Sequence, residues 1–208
     1  MMQDSKTDTP SNIRLHVTVG IIFVVLLGGS IFWKSYNKIA LQEKLVEVSW
    51  SQVDRNIHSK NTLLADLKKV IEYHTGDEAE LLSELDALRD KSDEIMNRYD
   101  TMPNSNQLNN INYIQKYINE TTSKVLVVAK SHSNLYKSKE FLKVAMQIKK
   151  VQHSIDLSKI QFNHNVEKYN SYVNTTSANV LAMSGKFDFQ EKIYFKNSNR
   201  AYEVFALK

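Results

Sequence analysis

The stretch FLKVAMQIKKVQHSIDLSKIQFNHNVEKYNSY, Phe141 to Tyr172, decides the fold. Apolar or small residues recur in it at steps of three and four: Phe141, Val144, Ile148, Val151, Ile155, Ser158, Phe162, Asn165, Tyr169, Tyr172. Seven residues make nearly two helical turns, so these side chains form one stripe on one helix. Inside it, FNHNVEKYN repeats an aromatic-Asn pair seven residues apart, Phe162-Asn163 and Tyr169-Asn170. Packing on the stripe accounts for the aromatics. The two Asn residues fall about 100° around the helix from them, placed to hydrogen-bond a neighbouring helix or a loop carbonyl.

The same period runs through the chain before it. The first stripe is Val46, Trp50, Val53, Ile57, Lys60, Leu64, Leu67, Ile71, His74. The second is Leu81, Leu85, Leu88, Ser92, Ile95, Tyr99; the third is Ile111, Ile114, Ile118, Thr121, Val125, Val128, His132, Leu135. Gly76 suits the position just past a helix end, and Thr101 to Asn110 reads as a loop. Only 5 Gly and 2 Pro interrupt 208 residues, which favours long helices. The expected fold is all-α, an antiparallel up-down four-helix bundle. Its first helix has no breaker to separate it from the segment before it.

That earlier segment, LHVTVGIIFVVLLGGSIFW from Leu15 to Trp33, carries no Asp, Glu, Lys or Arg and lies between Arg14 and Lys34. As a helix it spans roughly 28 Å, close to the hydrocarbon thickness of a bilayer. Trp33 sits at the end, where interfacial aromatics are favoured. The preceding residues hold two acids and two basic side chains, a poor signal-peptide n-region, so an uncleaved single-pass span is expected. Lys34, Lys38 and Lys44 outnumber Lys6 and Arg14, which places the C-terminal side in the cytoplasm. The organisation is a polar tail over 1–14, a transmembrane helix over 15–33, a helical domain over 34–183, and an aromatic-rich tail over 184–208. That tail reads as a strand-like or helical cap on the bundle end.

Chemistry is sparse. Cysteine is absent, which removes disulfides, thiolate nucleophiles and Cys-ligated zinc. Phosphate-binding loops, nucleophile elbows and HExxH are absent too. His153, Asp156 and His164 are the nearest approach to a metal set, three residues on one face of the fourth helix. They are the basis of an alternative reading as a metal-binding protein or enzyme; the first reading takes them as a solvated face with no metal or cofactor. Lys60 stands out as a cation on an apolar seam. Burial of an unpaired Lys costs several kcal/mol, so a partner is expected, an acid from the second helix or water. The net charge is +4, but it is unevenly placed. Asp77 to Asp100 has a net charge of −6 and Lys130 to Lys168 a net of +5. Two helices of opposite sign lying side by side explain this; a docking surface for a charged partner is the other reading. Anionic lipid or nucleic acid on the basic fourth helix is a further alternative, although nucleic acid is not expected from so mild a charge.

The order of short motifs resembles the LemA family of bacterial membrane proteins. Tyr36-Asn37 matches the family's Tyr-Asn just past the span, and SWSQVD (Ser49 to Asp54) its Ala-Trp-Ser-x-Ile-Asp. Phe162-Asn163, Val166 and Tyr169-Asn170 match its Tyr-Asn-x-x-Val-x-x-Tyr-Asn, and Arg200, Val204 and Phe205 its closing Arg-x-x-x-Val-x-Phe. Polar positions depart: Val151-Gln152-His153-Ser154 stands where the family has Thr-Glu-Asn-Arg. The motif residues carried over are Tyr36, Asn37, Trp50, Asp54, Phe162, Asn163, Tyr169 and Asn170. The resemblance implies a single-span protein of the bacterial inner membrane with a helical-bundle domain on the cytoplasmic side. The span, the continuous apolar seams and the missing catalytic constellation point to a membrane-anchored, non-enzymatic scaffold with unidentified protein partners. One branch of the family is linked to magnetosome membranes.

Overall fold

The computed structural model describes residues 10–75, 79–98, 102–183, 187 and 189–195. Six helices follow in order: α1 (Pro10–Thr75), α2 (Ala79–Asn97), α3 (Ser105–Ser131), α4 (Ser133–Tyr136), α5 (Lys139–Val173) and α6 (Thr176–Met183). There is no strand among the described residues. The chain is all-α, as the stripes require.

Nothing breaks α1. From Ser30 to Thr75 it contains neither Gly nor Pro, and its 66 residues extend roughly 100 Å at 1.5 Å per residue. The apolar segment from Leu15 to Trp33 is exposed around the helix, with Val24 at 68% and Trp33 at 67%. It is long and apolar enough to cross a membrane. In water such a surface would be costly; in hydrocarbon it is the stable one.

The chain divides into two compact units. The first comprises Met1–Leu41 and Ser171–Gln190, the second Gln42–Asn170 and Glu191–Lys208. In the first, Tyr36 packs on Phe187 at 5.1 Å between ring centroids, and Phe187 stacks on Phe189 at 5.8 Å. Lys38 lies over the Tyr172 ring at 5.9 Å.

The second unit holds the core. Leu64, Leu67 and Ile71 of α1 join Leu82 and Leu85 of α2, Ile114, Ile118, Val125 and Ala129 of α3, Leu135 of α4, and Phe141, Val144 and Ile148 of α5. The first and fourth stripes are buried along the expected positions, except that His74 is exposed and Tyr172 half-buried. The second stripe is turned. Leu82, Leu85, Ser92 and Met96 are buried, whereas Leu81, Leu88 and Ile95 are only half so. The outer flank of α2 needs its carboxylates elsewhere: Asp86 pairs with Lys68 of α1 and, at 2.7 Å, with Arg89. The Lys68 pair joins the acidic α2 to α1, whereas the Arg89 pair stays within α2.

Two boundaries differ from expectation. Residues Ser105 to Asn110 are helical, not loop. Asn104 caps the helix: its Oδ1 accepts the Gln107 N–H at 3.1 Å, and Gln107 Oε1 accepts the Asn104 N–H. This reciprocal box nucleates a polar first turn. The third stripe also breaks at His132, whose extended backbone (φ −97°, ψ 92°) separates α3 from the single turn α4. Gly76 and most of the 184–208 tail lie outside the described residues; the parts described, 187 and 189–195, are neither helix nor strand.

Candidate functional site

Two constructions in the second unit use side-chain amides. The first is a seat for the extended segment 191–195. Asn170 Nδ2 donates to the Lys192 carbonyl at 2.8 Å, and its Oδ1 accepts the Lys192 N–H at 2.8 Å. One heptad earlier, Asn163 Nδ2 donates to the Phe195 carbonyl at 3.0 Å, and its Oδ1 accepts the Phe195 N–H at 2.8 Å. Each Asn thus satisfies both backbone groups of one residue in a segment that has no ladder of its own.

The spacing is a ruler. Seven helical residues rise about 10.5 Å, and three extended residues cover about 10 Å. Asn163 and Asn170 on α5 therefore stay in register with residues 195 and 192.

Side chains add selectivity at the same two positions. Phe195 is 2% exposed. It meets Phe162 edge-on at 5.5 Å and lies against Trp50 at 6.3 Å, while the Lys159 ammonium covers its ring at 4.8 Å. Lys192 pairs with the Glu43 carboxylate at 2.8 Å and sits 4.8 Å over the Tyr169 ring. Between them Ile193 and Tyr194 are exposed. The floor is fixed by bonds between α1 and α5: Gln42 Nε2 donates to the Asn165 carbonyl at 3.1 Å, and Asn165 Nδ2 to the Leu45 carbonyl at 3.2 Å.

The second construction surrounds Lys60, which is 1% exposed. Its ammonium donates to Gln152 Oε1 at 2.8 Å, to Gln115 Oε1 at 3.3 Å and to Asn119 Oδ1. All three donors meet neutral amide oxygens, not an acid from α2. Hydrogen bonds continue outward. Gln115 Nε2 donates to Ser92 Oγ at 3.0 Å, Asn61 Nδ2 donates to Ser92 Oγ at 3.1 Å and to Asp93 at 2.7 Å, and His58 contacts Asp93 at 3.3 Å. On the α5 side Gln152 Nε2 donates to Asp156 at 3.1 Å, and Lys159 donates to Asn112 Oδ1 at 3.0 Å.

Burial sets the electrostatics here. It lowers the Lys60 pKa to about 7, assisted by the Lys159 charge and opposed by Asp156. Burial likewise lowers Lys159 to about 8 and raises Asp156, whose carboxylate is held back by Lys159 and Gln152.

The eight motif residues fall into three groups. Trp50, Phe162, Asn163, Tyr169 and Asn170 all build the seat. Asp54 pairs with His58 at 3.5 Å, its pKa raised by burial. Tyr36 packs on Phe187 in the first unit, and Asn37 is exposed. The metal alternative loses its geometry: Asp156 is buried and bonded to Gln152, whereas His153 and His164 are exposed. Among the described residues no group of three or more His, Cys, Asp or Glu is arranged to hold a metal.

Sequence reading missed Gln115, Asn119 and Gln152, because a flanking amide looks like a solvated one. Only the misplaced cation Lys60 pointed there. It also missed that residues 192 and 195 would meet the two Asn.

The LemA family model matches residues 49–206. This stretch contains the amide cage, every residue of the seat's α5 wall, and the segment that fills it. No curated protein matches the chain.

Proposed function

The chain belongs to the LemA family, and on that premise we propose that it is a membrane-anchored interaction protein without catalytic activity. The apolar segment of α1 holds it in the bacterial inner membrane, and residues 42–170 form an up-down four-helix bundle on the cytoplasmic side. The observation that carries the reading is the seat. It commits two Asn side chains, three aromatic rings and a carboxylate to holding an extended segment, and among the described residues no comparable arrangement surrounds a nucleophile. The amide cage supports the same reading: each donor of the Lys60 amine is occupied and the group is covered.

The test is crosslinking of the full-length chain in its native membrane, followed by identification of what it holds. Reproducible protein partners in the salt-washed membrane fraction are expected. Recovery of the chain in the soluble fraction, or no reproducible partner, would contradict the reading. Service in a membrane organelle is a narrower version, tested by whether the neighbouring genes encode one.

A further inference from the structure

We infer that the seat on α1 and α5 is a recognition site for an extended peptide of a partner protein, with a cation three residues before an aromatic, and that residues 192–195 are its resident competitor. The inference rests on the reading of the chain as an interaction protein and names the chemistry of its ligand.

Four observations converge on it. First, Asn163 and Asn170 read backbone only, each taking one N–H and one C=O, so any sequence in extended form satisfies them. Second, the side-chain pockets are two and distinct. An aromatic fits between Trp50 and Phe162 under the Lys159 ammonium, and a cation fits between Glu43 and the Tyr169 face. Third, the two residues between the pockets are exposed, so they add little to selectivity. Fourth, the segment brings no secondary structure of its own; the seat supplies the backbone partners of residues 192 and 195. Main-chain bonds for affinity and alternate pockets for specificity are the general mode by which extended peptides are bound.

Covalent attachment gives the resident segment an effective concentration in the millimolar range. An incoming peptide must compete with that, so the resident segment lowers the apparent affinity of every occupant by the same factor.

The test uses the full-length chain in detergent with Trp33→Phe, which leaves Trp50, at the seat, as the only tryptophan of two. The probe is a synthetic peptide of residues 189–197. Two forms are compared, one with the resident segment intact and one with Lys192→Glu and Phe195→Ala together. The weakened form is expected to bind the peptide at least about tenfold tighter. Asn163→Ala with Asn170→Ala in that form is expected to remove binding, and Lys192→Glu in the peptide to reduce it about tenfold. Equal binding by the two forms, indifference to the Asn changes, or no binding by a weakened form that keeps its helical circular dichroism would overturn the inference.

A second measurement needs no seat substitution. In the natural chain, adding peptide is expected to speed hydrogen exchange at the Lys192 and Phe195 amides. Unchanged exchange would overturn the inference. So would a rise with the chain's own concentration in the absence of peptide, which would make the occupant the same segment of a second copy. A negative peptide result leaves the membrane crosslinking outcome standing, so the two failures are separable.

Discussion

The seat and the cage solve different problems with the same functional group. At the seat, Asn163 and Asn170 present amides at the flank of α5 to a backbone that arrives from far along the chain. Around Lys60, Gln115, Asn119 and Gln152 turn their oxygens inward to replace the water that a buried ammonium loses. The seat holds a segment that the helices do not need in order to be helices. The cage holds a side chain of α1 itself, between α3 and α5. The difference teaches where each belongs: disturbing the cage threatens the fold, whereas disturbing the seat releases only a segment.

The largest expected effect tests that contrast. Lys60→Met keeps the stem's volume but orphans two buried amide oxygens, those of Gln115 and Gln152, and the half-buried one of Asn119. Each unsatisfied group costs about 1–3 kcal/mol, offset by the charge no longer buried. A net loss of about 3 kcal/mol in full-length stability is expected by denaturant unfolding. No loss would mean that the cage only tolerates Lys60.

Trp50→Ala comes next. It removes a wall of the Phe195 pocket and part of the α1 stripe at a buried position, for about 3 kcal/mol. Unlike Lys60→Met, it is expected to weaken the seat and the fold together, which a paired measurement of amide exchange and unfolding resolves.

A pH series sharpens the cage further. The folded pKa of Lys60 is lowered to about 7 from 10.5, so between those values the unfolded chain binds the proton that the folded chain releases. Stability contributed at this site therefore rises with pH from about 7 towards 10, by at most about 1.4 kcal/mol per unit. Below 7 the penalty of burying the charge is present in full. The stability gap between the natural chain and Lys60→Met should thus widen from pH 6 to pH 9. A gap that narrows would reverse the assigned direction.

The smallest effect is at the α3 cap. Asn104→Ala removes one half of the reciprocal box and should cost about 1 kcal/mol, without altering seat or cage. A larger cost would tie the start of α3 to the cage residues Gln115 and Asn119 farther along it.

Much of this fold was legible in the sequence because apolar spacing is local information. The stripes of α1 and α5 could be placed residue by residue, and Lys60 was visible as an anomaly on one of them. The stripe on α2 is shifted by about one residue from its expected place, since Leu81, Leu82, Leu85 and Leu88 satisfy two neighbouring faces; in the face taken, Asp86 reaches Lys68. The start of α3 was missed because Asn-rich polar residues read as loop until Gln107 is seen to close on Asn104. The site was half legible. Asn163 and Asn170 are marked by their spacing, and their place at the flank of α5 suits a loop carbonyl as partner. Their pairing with residues 195 and 192 joins positions 32 and 22 apart in sequence, and no periodicity carries information across a connection of that kind.

The central claim is that Asn163 and Asn170 hold residues 192 and 195 by their backbone. Hydrogen exchange at the Lys192 and Phe195 amides of the full-length chain tests it most directly, with the natural protein beside Asn163→Ala and Asn170→Ala. Each substitution should raise exchange at its own partner amide by about tenfold or more while the amides of α5 stay protected. Equal exchange in all three proteins would contradict the claim.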